Sequence, residues 1–195
     1  MNLTGRVRNV LLTPREEWPS IAAEPATVQS LYLRYIVILA AIGPLATFVS
    51  FALLGLGLGL GAAVFAYLHA LIGVAIVALI VDALAPRFGG TRDYVRALKL
   101  TAYSLTALWV AQIALLIPVA GALIALIGLV YSLYLFFLGV PVLGKSAAEK
   151  ALPFTIAVIV CAIVAMYLIG LIARTLGFGF GVAGPFAVGP MGLPR

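Results

Sequence analysis

The chain has one cysteine, one histidine and only six acidic side chains in 195 residues. Each scarcity removes a class of function. A single thiol, Cys161, admits no intramolecular disulfide, and in the middle of an apolar run it reads as a small apolar residue. A metal centre needs several His, Cys or carboxylate ligands, and one His with one Cys does not supply them. His69 has no acid at its own depth to orient it. No facing pair of carboxylates stands in an apolar segment, so general acid–base chemistry lacks its parts. The glycine run Gly55–Gly61 has no Lys-Ser/Thr after it and is not a phosphate-cradling loop. No catalytic residue, cofactor or metal is expected.

What the chain has in abundance is apolar sequence. It is 65% hydrophobic and 9% charged, with a mean hydropathy of +1.23, far from the composition of soluble domains. The apolar residues form five stretches, over about 31–54, 62–84, 97–117, 119–143 and 153–174. A hydrocarbon core about 30 Å thick takes about 20 helical residues to cross, and each stretch is long enough. The expected fold is therefore all-α: a polytopic membrane protein with a bundle of five transmembrane helices (31–175). A short amphipathic N-terminal segment (1–30) precedes it, and a Gly/Pro-rich tail (176–195) follows.

A net charge of +6 and a pI near 9.8 would fit a nucleic-acid binder, but the basic residues are distributed as in a membrane protein. Arg6, Arg8, Arg15, Arg34, Arg87, Arg92, Arg96, Lys99, Lys145 and Lys150 fall on one side of the five-span plan. Only Arg174 and Arg195 fall on the other. This bias places the N-terminus in the cytoplasm and the C-terminus outside, across the inner membrane if the source is bacterial. No domain remains to hold a basic face for nucleic acid.

The N-terminal segment has no continuous apolar core of the kind a cleavable signal carries. Leu3, Val7, Val10 and Leu11 are spaced for one face of a helix, with Arg6, Arg8 and Asn9 on the other. Such a helix suits the cytoplasmic membrane surface, where each arginine near anionic headgroups contributes about 1 kcal/mol. The simpler alternative is a basic flank that only fixes topology. Thr13-Pro14-Arg15-Glu16 is a helix-start pattern, with Pro19 and Pro25 limiting its extent. Trp18 fits the interface, apolar ring inward and N–H toward water. Arg6, Arg8 and Trp18 are thus the expected membrane-surface anchor.

Further along, the alternating Gly-Leu run 55–61 reads as a flexible helix end with a tight outer turn. Ala62, Ala66, Ala70 and Gly73 then give a small-residue face for helix packing. Ionisable or strongly polar residues at membrane depth are costly and mark functional candidates. His69 and Asp82 lie on the second stretch, Gln112 and Lys99 on the third. Antiparallel neighbours at one level have sequence numbers of constant sum, and His69–Gln112 and Asp82–Lys99 share one sum. The two pairs cannot both face the seam, because thirteen residues rotate a helix so that His69 and Asp82 lie roughly 140° apart. His69 with Gln112 is expected to form an interhelical hydrogen bond, worth about 0.6 kcal/mol on average. The functional alternative is a polar site for a proton or small ligand, to which Tyr103 and Ser104 could add hydroxyls. Asp82 with Lys99 or Arg96 is expected as an interfacial ion pair.

Several linked pieces carry a resemblance. The chain reads Val10-Leu-Leu-Thr-Pro-Arg-Glu-Glu-Trp18, Ile21-Ala-Ala-Glu-Pro-Ala-Thr27, Phe88-Gly-Gly90, Ala97-Leu-Lys-Leu-Thr-Ala-Tyr-Ser104, Ile117-Pro118, Tyr131-Ser-Leu-Tyr134, Leu138-Gly-Val-Pro141 and Lys145. In this order, over about 10–170 and on a five-span plan, they resemble a prokaryotic-type member of the Yip family. These integral membrane proteins are named for interaction with Ypt/Rab GTPases in eukaryotes. Similar proteins carry proline shortly after the Tyr-Ser of the third helix. Ala107 stands near that place here, which removes the usual cause of a kink. Eukaryotic relatives also have a longer cytoplasmic N-terminal region, so no GTPase-contact residue transfers by matching. The resemblance implies the domain alone; the expected function is a non-enzymatic scaffold or adaptor of that family with a cytoplasmic face from 1–30, 85–96 and 144–152. Because the outer loops are uncharged, the expected partners are membrane lipids, with anionic headgroups on the cytoplasmic side, and a second copy of the chain or a cytoplasmic protein. The alternative is a small oligomeric transporter or channel with His69, Gln112 and Tyr103 along its path.

Overall fold

The structure, a computed structural model, describes residues 2–52, 56–117, 120–144 and 148–175. Lys145 and the Gly/Pro-rich tail over 176–195 lie outside the described residues. Helices α1 (Leu3–Leu12) and α2 (Pro14–Ala23) form an N-terminal hairpin. Five helices long and apolar enough to cross a membrane follow: Val28–Ser50, Gly59–Phe88, Tyr94–Leu116, Ala120–Leu143 and Ala151–Leu171. No strand occurs among the described residues. The chain is an all-α, multi-pass integral membrane protein.

The glycine run departs from its sequence reading. The helix of the second span already starts at Leu56 and continues to Leu84, so Gly57, Gly59 and Gly61 are helical. Backbone at membrane depth must pair internally, which favours helix over an irregular turn even across glycines. A Cβ on Gly59 would sit 2.8 Å from the Ala52 nitrogen, so this glycine lets the first and second spans close together.

Two spans are interrupted, and side chains from neighbours take up the freed backbone groups. The first span opens with a capping box: Ser30 N–H donates to Thr27 Oγ1 (3.1 Å) and Thr27 N–H to Ser30 Oγ (2.9 Å). It then passes through a π-helical turn, Tyr32–Ile36, the kind of irregularity that leaves carbonyls available. Tyr67 of the second span donates its hydroxyl to the Val37 carbonyl just past that turn (2.9 Å), and Tyr32 within the turn donates to the Leu71 carbonyl of the unbroken second-span helix (3.1 Å). In the third span the α-helix breaks at Leu105 and ends in a 3-10 turn, Gln112–Leu116. No proline causes the break. Ser132 of the fourth span accepts the Leu108 N–H at 2.9 Å, replacing the helical partner lost there.

The large core side chains gather at the hairpin end of the bundle. Trp18, Ile21, Tyr35, Ile36, Leu98, Leu100, Leu135 and Phe154 are all at most 2% exposed. Toward the far end the buried residues are mostly small, including Ala46, Ala62 and Ala114.

Candidate functional site

Two constellations collect the polar side chains that the sequence singles out. The first is the seam between the hairpin and the spans. The apolar face of α1 is the one its spacing indicates: Val10 is buried, and Leu3, Val7 and Leu11 pack partly buried against the core. What covers that face is protein. Arg6 is 6% exposed, and its guanidinium donates to the carboxylates of Glu17 and Glu24. It also lies 5.9 Å from the centre of the Tyr103 ring, within cation–π range. Tyr103 tilts against Tyr35 with ring centres 4.5 Å apart, and the Tyr35 and Thr106 hydroxyls are 2.6 Å apart.

Both hairpin helices end against side chains from the spans. The last carbonyls of a helix have no partner within it. Tyr131 donates its hydroxyl to the Leu11 carbonyl in the last turn of α1 (2.7 Å). Lys99 donates Nζ to the Ile21 carbonyl (2.8 Å) and to the Glu24 carbonyl at the end of α2. A cation at a helix C-terminus is also favoured by the helix dipole. Trp18 seals the joint, because a Cβ on Gly139 would lie 2.8 Å from Trp18 Cζ2. Only a glycine there admits the indole.

These placements correct several expectations. Arg6 and Trp18 are not surface anchors: Arg6 is neutralised by two carboxylates inside the fold, and the indole is buried with Nε1 unpartnered. Arg8 alone of the three is exposed. The Asp82–Lys99 pair does not form, since the orphan carbonyls of α2 take the ammonium group. Arg96 pairs with Asp93 instead of Asp82, at 3.1 Å. Asp82 borders a gap of ≈ 10 Å³ with Asp93, Arg96 and Thr91, and its Oδ1 is unpartnered. That volume holds about one water.

The second constellation is a cavity of ≈ 400 Å³ toward the far end, between the first, second, third and fifth spans. His69 and Gln112 both line it, but no hydrogen bond joins them. His69 Nε2 is buried without a partner, a state that costs about 1–3 kcal/mol for a neutral group. His69 stacks loosely on Phe65, with ring centres 6.2 Å apart. The Gln112 amide rests against Gly43, where a Cβ would collide with it. Thr47, Trp109 and Met166 complete much of the wall, and a Cβ on Gly73 would reach within 2.8 Å of Met166 Cε. Of the small-residue face, Ala62 is buried and Ala70 packs against the core, while Ala66, Ala70 and Gly73 also line this space. Tyr103 and Ser104 do not. Tyr103 belongs to the hairpin seam, and Ser104 is buried with its hydroxyl unpartnered.

Sequence reasoning missed Tyr35, Thr106, Glu17 and Glu24 as parts of the seam. The signal for the two glutamates is their position on the same short segment as Arg6. For Tyr35 and Thr106 no local signal exists, because their contact joins residues far apart in the chain.

No curated protein and no solved structure matches the chain. The family model for the Yip1 domain matches residues 8–186, from the second half of α1 through all five spans, and the chain belongs to this Yip family.

Proposed function

We propose that this Yip-family protein is a non-enzymatic membrane scaffold or adaptor whose recognition face is the docked hairpin, turned to the cytoplasm. The observation that carries the reading is that the hairpin is built into the bundle. Its inner face is fixed by Arg6, Trp18, Lys99 and Tyr131, while Arg8, Asn9, Arg15 and Glu16 on its other side are exposed. A polar surface held in one conformation by a membrane domain loses less entropy on binding than a free tail does. Arg87, Arg92 and Lys150 are exposed at the same end of the spans. With 85–96 and 144–152 they extend the face, and they supply charge for anionic headgroups at about 1 kcal/mol per side chain. In this reading 1–30 is the recognition segment, 31–175 the membrane domain and 176–195 an external tail.

A photo-crosslinking residue at Glu16, compared with one at Leu126 on the lipid-facing side of the fourth span, tests the adaptor role in native membranes. Protein adducts of discrete mass at Glu16 alone are expected. Lipid adducts alone at both positions would end the adaptor reading. Reporter fusions after Arg92 and at Gly184 test the orientation separately, with cytoplasmic and external signals expected.

The second reading, a small oligomeric transporter or channel, draws on the cavity at His69 and Gln112. Conduction would need that space to continue to the hairpin end. There Ile36, Leu98, Leu100 and Leu135 are each at most 1% exposed, and Tyr103 is held in the seam. This packing favours the scaffold.

A further inference from the structure

We propose that the His69–Gln112 cavity is a binding site for a neutral, bilayer-soluble amphiphile: an apolar chain bearing a single hydroxyl. Four features of the wall specify this class. Its volume of ≈ 400 Å³ lies within the range of about 300–1,000 Å³ typical of small-molecule sites. Among the described residues no Asp, Glu, Lys or Arg lines it, so a charged head would be desolvated without a counter-ion, which an apolar site strongly disfavours. Along the second span the lining runs from Ala66 to Val77, a helical rise of roughly 16 Å, which suits an extended chain.

The fourth feature is the pair of polar side chains in the wall, Gln112 and His69, the latter with its Nε2 unpartnered. A ring nitrogen either donates or accepts, according to tautomer, while an amide offers both. A hydroxyl donates and accepts, so it complements the pair whichever tautomer is present. A bare hydrocarbon leaves both groups unsatisfied. The small residues Gly43, Ala66, Ala70 and Gly73 keep the volume open, and His69 lies midway along its helix. A ligand would therefore arrive from the hydrocarbon, not from water.

The test uses Trp109, which lines the cavity and is one of two tryptophans in the chain. In Trp18→Phe protein reconstituted in phosphatidylcholine nanodiscs, its emission is titrated with 11-bromoundecan-1-ol and with 1-bromoundecane, whose bromine quenches at close range. Saturable quenching by the alcohol is expected at a membrane fraction about five- to tenfold lower than for the bromide, the ratio one net hydrogen bond supplies. His69→Leu with Gln112→Leu should erase that preference and leave quenching by the bromide intact. Ala66→Leu with Ala70→Leu should remove saturable quenching by both. Equal quenching by the two compounds, or a preference that survives His69→Leu/Gln112→Leu, would overturn the proposal. If Trp18→Phe does not fold, native mass spectrometry of the unmodified chain gives the same decision. Retention of the alcohol over the bromide supports the site, and equal retention or none rejects it.

Discussion

The two ends of this bundle are built on opposite plans. At the hairpin end, bulky side chains are fully buried, and the carbonyls at the ends of both hairpin helices meet side-chain donors from the spans, Tyr131 and Lys99, while Arg6 sits between two carboxylates. Toward the far end, alanines and glycines replace large residues and a cavity of ≈ 400 Å³ remains, with His69 and Gln112 in its wall. Lipid supplies no hydrophobic drive for helices to associate, so packing and hydrogen bonds must hold them. The hairpin end concentrates both. Rigidity at one end and unused volume at the other suggest a division of labour: one end presents a surface, the other holds space.

That contrast can be broken by substitution, and the largest effect belongs to the hairpin end. Trp18→Ala removes a fully buried indole from the groove at Gly139 and Leu100. A loss of about 3–5 kcal/mol is expected, read as a lowered unfolding midpoint in detergent or nanodiscs. A loss under about 1 kcal/mol would place the indole outside the core. Next, Arg6→Met keeps the apolar stem but strands Glu17, which is 12% exposed as a side chain. The expected cost is about 2–3 kcal/mol, below a fully buried pair because Glu24 is 46% exposed and can rehydrate. Adding Glu17→Leu should restore part of it, and strict additivity of the two changes would argue against the pair.

Smaller effects sharpen the same comparison. Tyr131→Phe deletes the hydroxyl on the Leu11 carbonyl and should cost about 1 kcal/mol, with faster amide exchange confined to α1. At the far end, Ala70→Val adds volume beside open space, and a change within about 0.5 kcal/mol is expected. A large penalty for Ala70→Val would mean that the cavity is closed in the working protein.

Much of this fold is legible in the sequence, and the boundary of legibility has a physical cause. The five spans follow from apolar length alone. The face of α1 follows from the spacing of Leu3, Val7, Val10 and Leu11. The covering of that face does not, because a lipid surface and a protein groove demand the same periodicity. The groove is instead declared by Gly139, whose lack of a side chain cannot be connected to Trp18 from spacing. The meeting of His69 and Gln112 at one cavity is accessible from level arithmetic between antiparallel helices. The same arithmetic pairs Asp82 with Lys99 wrongly, since it cannot see a third element, α2, arriving with unsatisfied carbonyls. The break at Leu105 is invisible for a similar reason: its support, Ser132, lies on another span.

The central claim is that α1 and α2 are seated on protein, not on lipid. A diazirine-bearing leucine analogue at position 11, in protein held in nanodiscs with anionic lipid, tests this most directly. Irradiation followed by peptide mapping should place the adducts within the fourth span, at or next to Tyr131. Adducts on lipid alone, with none on the spans, would contradict the account and return the hairpin to the membrane surface.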